Sequence, residues 1–365
     1  MSKAFLRGVL VLLFSAGLVT VRAYDRDYDH DVTLAVTMTN DAAANAIRVY
    51  DTATQQVIQT LSTHGKGGVG GNARGIKTGD DELLAVVNNG SGNVAVFARH
   101  GNRLSFEQLV TTTSAPVSID FGNDHMYVAG ATTVDSFPIR RGRVESMDGT
   151  TLLELIGGSV PPAGSTAQVG VVNGRSLLVT LKTDPDPGTV DVVRLDGDGA
   201  IRNAAPQAVS APDGTLTPFG FSVYPDGTAA ITLAHSSQDG LFRDGAFAEV
   251  IEAGQAAPCW MTRVGKYVFT ANTGSHTISR LIGTGHHLFV DDPMAGQVPT
   301  GGAPSDIDAA GGVLGVLDRA TGTAHLTFFT YNRFGELTPL GSPSTIGAAN
   351  ANGVAILQAS SDHDR

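Results

Sequence analysis

Cysteine is almost missing from this chain: one residue, Cys259, stands among 365, so no intrachain disulfide can form. Charge is scarce too, at 16% of residues, and basic residues are outnumbered by acidic ones, 24 to 35. The resulting formal charge of −11 argues against nucleic acid as a partner, because that binding rests on neutralising phosphates with Lys and Arg. The apolar share, 42%, is too high and the charged share too low for a disordered chain. No long segment has the 3.6-residue period of an amphipathic helix. One apolar run, residues 8–21, is long for a soluble protein, yet it falls short of the ~20 residues that span a bilayer.

That run has a different meaning. Lys3 and Arg7 flank its start, and it ends at Val21-Arg22-Ala23, with small residues where signal peptidase reads them. Residues 1–23 are expected to be a removable signal peptide, with an uncleaved membrane anchor as the alternative. Its removal takes away Lys3, Arg7 and Arg22 and no acid, which moves the formal charge to −14. The expected product is exported, periplasmic or secreted, and keeps no membrane span. Residues 24–31 alternate Asp with other polar residues and read as an acidic linker in preference to a cation site. Residues 359–365 read as a flexible tail.

Between them, residues 32–358 are abundant in glycine and in short β-rich runs bounded by Gly, Asn, Asp and Pro turns. One unit recurs seven times: a buried run of six residues, a polar turn, then an alternating strand. The runs begin at Leu34, Leu84, Met126, Leu177, Ala230, Tyr267 and Leu314, at spacings of 50, 42, 51, 53, 37 and 47 residues. A second sevenfold series begins with a small residue or Pro: Ala73, Pro116, Ala167, Pro218, Pro258, Pro304 and Ala351. Four-stranded blades around an axis give this pattern. The second series would supply the inner strands, and the runs the strands beside them. The runs start before the first member of the other series, and that series outlasts them. The C-terminal strand 352–358 is therefore expected to complete the blade begun by residues 32–61, so that two exposed edges pair. The fold class is all-β, a single seven-bladed β-propeller.

Leu84-Ala-Val-Val-Asn-Asn-Gly-Ser-Gly-Asn-Val-Ala-Val-Phe97, the run Tyr267–Ser279, Thr217-Pro-Phe-Gly-Phe221 and Cys259-Trp260 resemble the blades of lactonase-type seven-bladed propellers. That family includes bacterial 6-phosphogluconolactonases, fungal carboxymuconate cyclases and exported members of undefined function. The resemblance covers nearly all of the chain after residue 31 and implies the propeller fold. No catalytic residue of the family is carried over, because none can be matched position by position.

In a propeller, the loops leading into the inner strands and those joining second to third strands share one face. Four groups are then expected near one mouth: Arg74, Lys182, His235 and Arg319. On an acidic protein they suit a carboxylate or phosphate. His235 has a side chain whose ordinary pKa suits proton transfer, so His235, Arg74 and Asp306 are the candidate catalytic residues. Lys182, Arg319, Gln168, Asn89, Asn272, Ser118 and Trp260 are candidate ligand-binding residues, with Trp260 and Phe219 open to the plainer reading of channel packing.

Other signals are weak. Gly65-Lys-Gly-Gly-Val-Gly-Gly71 lacks Walker spacing and reads as a flexible loop leading to Arg74. Leu195-Asp-Gly-Asp-Gly199 reads as a hairpin turn, and adjacent His286 and His287 would point to opposite faces of a strand. No Gly-x-Ser-x-Gly elbow is present, and Cys259 suits a small buried apolar role. The expected function is hydrolysis or isomerisation of a small anionic lactone or sugar-acid derivative at the mouth, by a monomer with no cofactor or metal. The alternative is a non-catalytic propeller whose rim loops bind a protein, a polysaccharide or an envelope component.

Overall fold

Every strand of the repeat exists, and each sits where a ring requires it. The computed structural model describes residues 32–79, 82–320 and 322–358. The expected signal peptide, acidic linker and tail lie outside the described residues. Seven antiparallel sheets form seven blades, six of four strands and one of five. Inner strands begin at Ile76, Pro116, Thr166, Pro218, Pro258, Ala303 and Asn352. The second strand of each blade is nearly or wholly buried, as in Leu34–Met38, Leu83–Asn88 and Ala229–Leu233. Its continuous apolar run reflects burial on both faces between neighbouring blades.

Closure follows the offset in the sequence. Blade 1 has the order 352–357, 34–38, 46–51, 56–62, and Leu34–Met38 pairs with Asn352–Leu357 through Val36 opposite Ala355. The last strand thereby consumes the edge that the first would leave open. Blade 2 spans residues 76–111, blade 3 116–152, blade 4 166–210, blade 5 218–252, blade 6 258–297 and blade 7 303–346. The outer part of blade 3 is split into Arg143–Val144 and Gly149–Leu152. Among the described residues, helix is limited to two short 3-10 turns, Asn89–Ser91 and Ala234–Ser236, and none is long and apolar enough to cross a membrane.

The inner strands are the edges of their own sheets, so their outward N–H groups need partners. Side chains of the preceding inner strand supply many of them. Ser118 Oγ accepts from Val169 N at 3.1 Å, and two residues on, Asp120 Oδ2 accepts from Val171 N at 2.8 Å. Gln168 brackets Phe221, donating to its carbonyl at 2.8 Å and accepting from its N–H at 3.0 Å. Asp306 and Asp308 accept from Val354 and Ile356 in the same way, at 3.1 and 2.8 Å. These polar side chains staple blade to blade around the axis. The strands also approach closely: a Cβ at Gly220 would lie 2.2 Å from Cys259 O, so a larger residue there would push blades 5 and 6 apart.

Candidate functional site

The glycine-rich segment after blade 1 is tied down, not free. Gly68 N and Val69 N donate to Asn40 Oδ1, and Asn40 Nδ2 donates back to Val69 O at 2.8 Å. Further along, Asn72 Nδ2 donates to Val117 O of blade 3 at 2.8 Å, and Asn352 Nδ2 of blade 1 donates to Asn72 Oδ1 at 3.1 Å. Trp260 Nε1 of blade 6 donates to Asn72 O at 2.9 Å, and Ala73 N donates to Ala167 O of blade 4 at 2.9 Å. A residue bonded to blades 1, 3 and 6 sits on the ring axis. Asn72 therefore plugs the channel, and residues 65–73 form a strap over it. Glycine permits this: Gly71 has φ +59°, and a Cβ at Gly67 would lie 2.4 Å from the Asn40 carbonyl carbon.

Trp260 belongs to this plug. Its ring meets Phe219 edge-on at 5.3 Å, and Ala73, Ala167 and Ala234 pack into the same apolar cluster. Arg74 leaves the strap and runs along the channel wall, with Nη1 3.5 Å from Asp120 Oδ1 and Nη2 3.4 Å from Phe221 O. Asp306 is buried among the staples. Desolvation raises its pKa to about 7, opposed by its two backbone hydrogen bonds and by the charge of Arg74.

Off the axis, above blades 4 to 6, lies a cavity of about 520 Å³. Lys182, Asp186, Thr217, Phe219, His235, Cys259 and Thr273 line it, with Gly71 of the strap at one side. His235 sits in the turn Ala234–Ser236, its side chain 64% exposed. Its Nδ1 lies 2.9 Å from Asp186 Oδ2 and 2.8 Å from Thr217 Oγ1. The Thr217 hydroxyl spends its hydrogen on Asp186 Oδ1, at 2.7 Å. Both atoms facing Nδ1 are therefore acceptors, so Nδ1 carries the proton and Nε2 presents a lone pair. A carboxylate that orients an imidazole in this way also stabilises the imidazolium formed when Nε2 takes a proton.

The backbone of Thr217 has φ +60°, an unusual conformation for a β-branched residue. Outliers of this kind carry strain of about 1–3 kcal/mol and concentrate at functional sites. The same conformation recurs at Ala257, which precedes Pro258 as Thr217 precedes Pro218, so it belongs to the entry into the inner strand, and at Thr217 it carries a hydroxyl that meets both partners. Asp186 comes from the loop after the second strand of blade 4, where Thr183 Oγ1 donates to Pro185 O at 2.9 Å and accepts from Gly188 N at 2.8 Å.

Lys182 is the cation of the cavity. Its Nζ lies 5.6 Å from the centroid of the Phe219 ring and donates to Gly71 O. Partial desolvation of the ammonium lowers its pKa to about 8. Cys259 lines the same cavity half-buried, with its pKa pushed up by desolvation to about 11, so it is a neutral thiol.

Of the candidate residues, the structure brings His235 and Lys182 to one cavity, whose lining includes neither Arg74 nor Asp306. Arg319 Nη2 donates to Ala351 O at 2.9 Å and Asn89 Nδ2 to Pro116 O at 3.1 Å, both joining one blade to the next. Asn272 is buried within blade 6, donating to Thr277 and Ser279 hydroxyls. Ser118 and Gln168 are staples. Asp186 and Thr217 are the residues that sequence reasoning passed over. The Asp184-Pro-Asp-Pro187 run was the available signal, because two prolines stiffen a loop on the face that carries His235.

No known family model and no curated protein matches the chain. Solved structures do. A periplasmic gluconolactonase of Pseudomonas aeruginosa is similar at TM-score 0.64 and 16% identity, with 90% of this chain and 100% of that one covered. A protein assigned as a 6-phosphogluconolactonase from Bacteroides fragilis gives 0.62 and 15%, with 90% and 99% covered. A virginiamycin B lyase of Staphylococcus aureus gives 0.52 and 13%, with 78% and 88% covered. The chain has the fold of these proteins. At such identities the likeness concerns the blades alone, and it spans more than one chemistry.

Proposed function

We propose that this protein is an exported lactonase-like hydrolase that opens a small anionic lactone in the cavity formed by Lys182, Asp186, Thr217 and His235. One observation carries the reading: the paired contact of His235 Nδ1 with Asp186 and Thr217, which leaves Nε2 to act as a base in a cavity that Lys182 also lines. Hydrolysis of a lactone needs a base for water and positive charge for the oxygen that gains electrons. In this scheme His235 Nε2 takes a proton from water as the oxygen attacks the carbonyl carbon. Asp186 holds the imidazolium, and the ring C–O bond breaks with that proton passing to the departing alkoxide. Lys182, mostly protonated at pH 7, attracts the anionic substituent or the carbonyl oxygen. Arg74 and Asp306 act from the channel, as electrostatic background to the strap.

The gluconolactonase and 6-phosphogluconolactonase descriptions of the structural neighbours support a lactone as substrate class. Export rests on the N-terminal leader pattern. The test is proton release over a panel of neutral, carboxylated and phosphorylated sugar lactones. Turnover with a preference for the anionic members is expected. No turnover of any lactone would overturn the reading in favour of a binding propeller.

A further inference from the structure

The requirements of imine chemistry meet at Lys182. An amine that captures a carbonyl must be neutral part of the time. It also needs a neighbour that gives and takes protons, because loss of water from the carbinolamine is slow without acid. And it needs room for the carbonyl compound.

The half-buried position of Nζ, 5.6 Å from the Phe219 ring centroid and against Gly71 O, supplies the first, with a pKa near 8 against about 10.4 for an ordinary lysine. At pH 7 that difference makes the neutral amine about 200-fold more abundant. The His235–Asp186 pair supplies the second, and it borders the same cavity. The 520 Å³ cavity supplies the third, with the Thr217 and Thr273 side chains on its wall. The bond from Nζ to Gly71 O survives deprotonation, since a neutral amine still donates.

We infer that Lys182 is a carbonyl-capturing lysine that forms an imine with the open-chain aldehyde of a small sugar. Nζ attacks the aldehyde carbon, the C–N bond forms, and the carbonyl oxygen becomes a carbinolamine hydroxyl. The His235 imidazolium protonates that hydroxyl, which leaves as water. The imidazole then takes back a proton from the nitrogen, so both hydrogens of the water come from the amine. No electrons change hands. This activity is separate from lactone opening, in which Lys182 acts as a cation.

The experiment incubates the intact protein with D-glyceraldehyde and sodium cyanoborohydride, then maps the reduced adducts by peptide mass spectrometry. Lys66, Lys77 and Lys266 serve as internal references within one sample. Lys182 is expected to be labelled at least tenfold faster than any of them, with a rate that rises through a midpoint near pH 8. Lys182→Arg should abolish that adduct and leave the reference lysines unchanged, and His235→Gln should slow it several-fold. Equal labelling of all four lysines in wild type, which requires no variant to fold, overturns the inference. So does a Lys182 midpoint above pH 10. Lactone turnover without the adduct would sink only this inference, and the adduct without turnover only the hydrolase reading.

Discussion

Asp239 offers a sharp test of the packing described above. It lies in the third strand of blade 5, wholly buried, and neither carboxyl oxygen has a hydrogen-bond partner among the described residues. Desolvation alone raises its pKa from 3.8 to about 8. Such a group binds its proton more tightly in the folded than in the unfolded chain. Its contribution to stability is therefore fully present below pH 3.8 and is lost progressively as pH rises towards 8. Each pH unit in that window removes about 1.4 kcal/mol. Asp239→Asn cannot titrate, so its stability relative to wild type should rise by about 3 kcal/mol between pH 5 and pH 7. The comparison is a double difference, so the fixed cost of burying an amide cancels. Urea unfolding of both proteins at pH 5, 6 and 7 measures it. Parallel profiles would refute the premise that an uncompensated carboxyl is buried there.

Three further outcomes follow from the site. Trp260→Phe removes the donor to Asn72 O and should cost about 1–3 kcal/mol, while hydrogen exchange at Val69 and Ala73 accelerates; unchanged protection would mean that the strap is not held from blade 6. Thr217→Gly relieves the backbone strain but deletes the hydroxyl. Stability within about 1 kcal/mol of wild type together with at least a tenfold fall in lactone turnover is expected, and a fully active variant would deny the hydroxyl a positioning role. Lys182→Met should raise KM for anionic lactones far more than for neutral ones, a difference that vanishes if the lysine serves only to anchor Gly71.

The ring was legible because its signals are periodic. Buried runs such as Leu84–Asn89 and proline-led starts such as Pro218 and Pro258 recur at blade spacing, and a strand pattern needs only neighbouring residues to be read. The channel was less legible for a physical reason. Ring position says which residues surround the axis, but not whether a side chain points to solvent, to the axis or to the next blade. Ser118 with Asp120 and Asp306 with Asp308 are two residues apart because they serve successive N–H groups of an adjacent edge. The same spacing reads equally well as a polar lining. The strap shows the opposite difficulty. Gly65–Gly71 has the composition of a flexible loop, and its order comes from partners as distant in sequence as Asn40 and Lys182, with Trp260 holding the next residue, Asn72. Asp186 was hidden likewise, since its pairing with His235 bridges 49 residues.

The proposed hydrolysis depends on His235, oriented by Asp186, acting as the base. Proton-release kinetics of wild type, His235→Gln and Asp186→Asn, on whichever anionic lactone turns over fastest, decide whether it does. Loss of the base, or of the carboxylate that fixes its tautomer, should lower kcat by about 10²–10⁴-fold while circular dichroism stays that of the intact propeller. Wild-type kcat in both variants would contradict the account.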